Sequence, residues 1–263
     1  MRMPSRAWRA SVVLVALVCL VPPAGADPVA VRFAEGVVHG FLTLRSPEGA
    51  LLASGDLLQT ASGGRVKSRL VFRFADGSVS DETAVFTQRG HFRLVSDHSI
   101  QRGPAFERSL EMTVDAGTGM VTVRYRKEGE EEKVEREHLT LPPDVANGMV
   151  PMLLKNVRPG AAPPTLSLVA ATPKPRLVKL AVSVAGKDSL SIAGTPHTAT
   201  HYVLKVDIGG LSGLIAPLVG KQPPDSHVWI LDGEVPAFLR SQSPMFAGGP
   251  LWQTDLVSPA WPK

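Results

Sequence analysis

Seven histidines hold most of the chemical potential of this sequence: His39, His91, His98, His138, His197, His201 and His227. None stands in an H-x-H pair or an H-E-x-x-H helix motif, the spacings that bring two imidazoles to one zinc ion. His197 and His201 lie four apart in an alternating run, so they share a strand face about 13 Å apart. Two ligands of one zinc must each sit about 2 Å from it. That pair alone binds no metal, and no metal site is expected. Nucleophile signatures are also missing. Gly210-Leu211-Ser212-Gly213 lacks the spacing of a G-x-S-x-G elbow, and no strand, sharp turn and helix surround it. There is no phosphate-cradling P-loop and no G-x-G-x-x-G fingerprint. Glu234 and Asp255 form a glycosidase pair only if the fold brings their carboxyls together. A hydrolase would have to assemble a cluster such as His201, Asp207 and His227 within hydrogen-bond reach. No residue is assigned a catalytic role, and no cofactor is implied.

The stretch Ile215 to Ile230, IAPLVGKQPPDSHVWI, is the most unusual locally. An apolar run meets Lys221, a Pro223-Pro224 corner, then Asp225, His227 and Trp229 leading into a strand. A rigid corner with such side chains suits contact with a small molecule or a partner. Met149 and Met152, on a short helical segment, have the soft thioethers that line apolar cavities. Tyr202 adds an aromatic from an alternating run. The candidate ligand-binding set is therefore Met149, Met152, Tyr202, Lys221, Asp225, His227 and Trp229. Each also has a plain packing reading, with the methionines and Trp229 as core residues and Pro-Pro-Asp as a turn.

The elements that must position these residues are mostly strands. Leu70, Phe72 and Phe74 alternate with Arg69 and Arg73. Val121, Val123 and Tyr125 alternate with Thr122, Arg124 and Arg126, and Val178, Leu180, Val182 and Val184 with Lys179 and Ser183. A period of two marks strands with one buried and one wetter face, which favours antiparallel pairing. Turn residues at Asp76-Gly77, Asp115 to Gly119, Lys127 to Glu130, Gly186 to Asp188 and Asp232-Gly233 separate the runs. About ten to twelve strands are expected between Val29 and Val257. One segment departs: Val145, Met149, Met152 and Leu153 recur at helical spacing, which predicts a helix over 144–156 with Asp144 as its N-cap. Pro151 makes that helix short or kinked. The proline stretches at 159–164 and 173–175 are expected to carry a crossover between two halves of one sheet. The acidic run from Glu128 to Glu137 lacks calcium-loop spacing and reads as a solvated, edge-protecting surface. The expected fold is mostly β, a strongly curved antiparallel sheet (half-barrel or open barrel) with one or two short helices.

Arg2, Arg6 and Arg9, the apolar run Ser11 to Val21 and the small residues Ala24-Gly25-Ala26 have the order of a signal peptide over 1–26. The apolar run is too short to span a bilayer. The expected mature chain, 27–263, is then one antiparallel β domain without a transmembrane segment, periplasmic or secreted. Cys19 is the only cysteine, so the mature chain has no disulfide, thiolate nucleophile or cysteine-bound zinc. Taking three arginines from 28 Lys and Arg leaves 25 against 24 acids. That balance lacks the basic surplus of a nucleic-acid binder.

The runs His201 to Asp207, His227 to Ile230, Pro236 and Pro250 to Leu256 resemble bacterial envelope proteins of the DUF3108-like type. Those in turn are similar to lipoprotein-carrier (LolA/LolB-like) half-barrels. The resemblance covers about residues 196 to 257, and its motifs are of low specificity. It implies a curved sheet around a helix, with 144–156 as plug, and a concave apolar face able to hold a lipophilic ligand. It transfers no catalytic residue. Leu211 to Pro224 is an insertion relative to that pattern, placed to cover or line the cavity. The first expectation is thus a soluble periplasmic carrier-like module for an apolar or amphipathic ligand. The alternatives are an envelope structural or assembly protein with a protein partner, or a hydrolase.

Overall fold

Residue-by-residue alternation between a wet and a dry face dictates extended chain, and nearly every alternating run pairs with its sequence neighbour. The computed structural model describes residues 28–192, 194–207 and 223–257. A first meander runs through β1 (Val38–Arg45), β2 (Leu51–Ser62), β3 (Arg65–Phe74), β4 (Val79–Arg89), β5 (His91–Arg102), β6 (Ser109–Asp115), β7 (Met120–Arg126) and β8 (Lys133–His138). After α1 (Val150–Lys155), the one helix among the described residues, a second runs through β9 (Leu166–Ala170), β10 (Arg176–Ile192), β11 (Thr195–Asp207), β12 (Ser226–Leu231), β13 (Phe238–Pro244) and β14 (Leu251–Val257).

The meanders join where β1 pairs antiparallel with β14, Leu42 opposite Leu256. The result is one 14-stranded antiparallel sheet in the order β8-β7-β6-β5-β4-β3-β2-β1-β14-β13-β12-β11-β10-β9. Fourteen strands exceed the expected ten to twelve because turns such as Gly63-Gly64 and the single residue Gly90 are too short to interrupt the pattern. The sheet is open: β8 and β9 are its edges. It is also curved, because residues of β3–β7 and of β9–β12 bury their apolar side chains in one cluster around α1. A second cluster on the same face gathers Leu42, Leu44, Phe72, Phe74, Phe106 and Trp252.

The helix is shorter than its spacing predicts. It has six residues, Met149 rather than Asp144 is its N-cap, and a proline sits in its first turn. Gly148, in the left-handed region at φ 64°, breaks any continuation toward 144. Asp144 instead ties the incoming chain to the sheet edge. Its Oδ2 accepts the Ser167 hydroxyl at 3.0 Å, and Val145 bridges Ser167 in parallel. The proline stretch at 159–164 lies in the connection from α1 to β9, the expected crossover between sheet halves, whereas Pro173 and Pro175 fall in the short turn between the paired neighbours β9 and β10 and carry no crossover. Met149, Met152, Leu153 and Leu154 are all buried in the concave cluster, each contributing about 1.5–3 kcal/mol of apolar burial.

The N-terminal segment straps this plug to the sheet. Arg32 and Phe33 both donate backbone N–H groups to Asn156 Oδ1 at 2.7 Å. Glu35 N–H donates to Gln88 Oε1 at 2.6 Å. The Glu35 carboxylate meets Lys155 Nζ at 2.5 Å and accepts from Gln59 Nε2 at 3.0 Å.

Candidate functional site

Three places among the described residues stand as candidate sites. The first is a cleft of about 290 Å³ at the rim where the curved sheet brings its halves together. Leu110 and Phe106 line it from the β5–β6 side, Phe246 from the β13–β14 turn, and Pro173 from the β9–β10 turn. Phe106 packs edge-on against Phe246 at 5.8 Å and against Phe74 at 5.5 Å, so the apolar floor is rigid. Gln101 Nε2 donates to the Met245 carbonyl at 2.6 Å, fixing one turn to β5. Arg108, Lys174 and Arg176 also line the cleft, against one acid, Glu107. Glu107 is itself paired with Arg108 at 3.1 Å and Lys127 at 3.6 Å. Nothing in the spacing of the sequence joins residues 106, 174 and 246. Only the curl of the sheet does.

The second place lies deeper on the concave face. Register puts Gln101 opposite Ser80, Ser99 opposite Glu82 and Asp97 opposite Ala84. A polar row thus runs from the cleft into the core and ends at Asp97, which is 0% exposed. Neither carboxyl oxygen of Asp97 has a hydrogen-bond partner, nor does the Ser99 hydroxyl. A Cβ placed on Gly148 would sit 3.3 Å from Asp97 Oδ1 and 3.5 Å from Glu82 Cδ, so both carboxyls converge beneath the plug. Burial pushes the Asp97 carboxyl well above its ordinary range, and the nearby Glu82 pushes it further. Burial raises Glu82 as well.

The consequence for stability has a definite sign. In the unfolded chain these groups ionise near their ordinary values, while in the fold they keep their protons to higher pH. Below the unfolded value both states are protonated and nothing is lost. As pH rises above it, only the unfolded state is relieved, so stability falls. Asp97→Asn removes the ionisation. At about pH 8 the variant is expected to be more stable than wild type by on the order of 1 kcal/mol or more, because ionisation then stabilises only the unfolded wild-type chain. The gap should close toward about pH 4. Urea titrations across that range check this; a wild-type protein that gains stability from pH 5 to 8 relative to the variant would refute it.

The third place is on the opposite face of β10–β12. Register sets His201 opposite Trp229 and Val203 opposite His227, which turns all three aromatic side chains to one side. His201 Nε2 and His227 Nδ1 are 2.9 Å apart. Asp188 Oδ2 accepts the Trp229 indole N–H at 2.7 Å and lies 3.3 Å from His201 Nδ1. The His201 ring stacks on Trp229 at 4.3 Å and 16°. Burial lowers the His201 pKa and His227 lowers it further, against the opposing pull of Asp188. The carboxylate beside His201 is therefore Asp188, not Asp207. Asp207 is six residues further along β11, about 20 Å away. Among the described residues neither imidazole bonds a serine or threonine hydroxyl.

The candidate ligand-binding residues fall on different sides of the sheet. Met149, Met152 and Tyr202 are buried together in the concave cluster. His227 and Trp229 belong to the opposite face with His201. Asp225 is half-buried just before β12, and Lys221 and most of the insertion from Leu211 lie outside the described residues. Among the described residues no group of three or more His, Asp or Glu converges to hold a metal, and no helix is long and apolar enough to cross a membrane. Comparison of the chain with protein-family models, with curated proteins and with solved structures finds no match.

Proposed function

We propose that this protein is an exported, periplasmic or secreted, carrier-like binding module for an amphipathic anion. The observation that carries the reading is the cleft: an aromatic floor of Phe106 and Phe246 directly beside Arg108, Lys174 and Arg176. Its volume stands at the small end of ligand pockets, about 300 Å³, so it suits a charged head group with the first part of an acyl chain. The rest of a long chain would lie along the rim or displace part of the plug. The sequence resemblance of residues 196 to 257 to lipoprotein-carrier half-barrels, of low specificity, is in keeping with this reading. The sheet edges argue against the assembly-protein reading. Edge strand β8 is KVEREH and exposed almost throughout, the charged type of edge that resists strand addition. Edge strand β9 is flanked by 144–146, which bridge Ser167.

The test is a titration of the exported protein with dodecanoate, dodecyl phosphate and dodecylamine, followed by tryptophan fluorescence and native mass spectrometry. The two anions are expected to bind and the amine to bind at least tenfold more weakly. Lys174→Glu should weaken anion binding about tenfold, a change of about 1.4 kcal/mol. Equal binding of amine and anions, or none of either, would overturn the reading.

A further inference from the structure

The His201–His227 contact lies outside the cleft and has no part in holding an amphiphile. We propose that these two imidazoles form an open site for a nitrogen-preferring divalent transition ion, with Asp188 as a positioning residue and water in the remaining coordination places.

The separation of the two nitrogens sets the first constraint. Two nitrogens held about 2.0 Å from one ion lie about 2.8 Å apart at a right angle and about 3.3 Å apart at the tetrahedral angle. His201 Nε2 and His227 Nδ1 are 2.9 Å apart, the spacing of adjacent corners in a tetragonal site. Copper(II) or nickel(II) fits that spacing directly, and zinc requires about half an ångström of opening.

Orientation is the second constraint. Histidine ligands commonly donate their other ring N–H to a carboxylate, which fixes the tautomer and raises ligand basicity. Asp188 Oδ2 stands 3.3 Å from His201 Nδ1. A proton there leaves Nε2 with its lone pair facing His227. The same oxygen is fixed by the Trp229 indole at 2.7 Å, and that indole stacks on His201. The ring is therefore oriented without an ion. His39 and His98 also meet carboxylates, Asp56 and Glu111, at 2.8 Å. Neither faces a second imidazole among the described residues, so they lack the chelating pair.

Access completes the case. The Asp188 side chain is 47% exposed and that of His201 17%, so an ion and its waters can approach from solvent. Binding needs no redox partner. As the ion binds, the hydrogen bond between the rings breaks, the rings turn to aim both lone pairs at a point about 1.4 Å to one side of the line between the nitrogens, and His227 carries its proton on Nε2 instead of Nδ1. Two nitrogens with water do not suit calcium or magnesium, which select oxygen.

The experiment is a copper(II) titration of the exported, tag-free protein by calorimetry and electron paramagnetic resonance. One tight equivalent with two equatorial nitrogens is expected. His227→Ala and His201→Gln should each weaken it at least tenfold. Asp188→Asn should weaken it about tenfold and alter the spectrum while both nitrogens stay bound. Circular dichroism and melting curves confirm that each variant folds. Copper bound equally well by folded His227→Ala would place the ion on other histidines and overturn the proposal. Absence of a stoichiometric copper complex in the wild type would overturn it too.

Discussion

Lys155→Met is expected to destabilise the protein by about 3 kcal/mol or more, because it strands a buried negative charge. The Glu35 side chain is 6% exposed and that of Lys155 18%. Removing one partner of such a pair typically costs about 3–5 kcal/mol, most of it the uncompensated charge left behind. Gln59 still donates to Glu35 Oε2 at 3.0 Å, which puts the expectation at the lower end. The double variant Glu35→Gln with Lys155→Met removes both charges and should recover most of the loss. Denaturant unfolding of the wild type, the two single variants and the double variant closes the cycle. If Lys155→Met alone unfolds like wild type, the plug is not held by this pair.

Gly148→Ala should be nearly as damaging, at about 3 kcal/mol, for a reason of shape rather than charge. Gly148 has φ 64°, a region that costs a residue with a side chain about 1 kcal/mol. Its new Cβ would also lie 2.6 Å from the Ala84 Cβ, with Asp97 Oδ1 at 3.3 Å. Overpacking of this kind adds about 1–3 kcal/mol. Ala84→Gly in the same chain relieves the closest contact but not the backbone strain, so it should restore part of the stability and not all. Full recovery would mean that backbone conformation contributes nothing at this turn.

How far the sequence discloses this molecule depends on whether the relevant geometry lies along one strand or between strands. Alternation along a strand is local, and it marks Val121 and Val123, both 0% exposed, correctly as core. It also points to an antiparallel, curved, mostly β fold with a crossover. Asp97 defeats the same logic. Phe92 and Leu94 face inward, and simple alternation would carry that face to Ser96 and His98. The irregularity in pairing between Val85 and Phe86, opposite Leu94 and Ser96, shifts the parity and turns Asp97 inward. No residue type announces that bulge. The helical spacing at 144–153 overstates α1 because part of the pattern is satisfied by a segment lying along β9. His201 and His227 are separate in sequence, and only the pairing of β11 with β12 shows that they touch. The cleft is more hidden still, since its walls come from three turns distant in the chain.

The pairing of β1 with β14 has a kinetic consequence. Every other neighbouring pair in the sheet joins strands consecutive in the chain, while this one links Phe41 to Val257 across the longest separation. Each meander can zip up hairpin by hairpin with little loop-closure entropy, whereas the central seam must wait for both. Assembly is then expected to have two fast local phases and one slow docking step. Until that step, β1 and β14 are bare edges in the middle of the future sheet, the point at which the nascent chain is most exposed to pairing with another copy of itself.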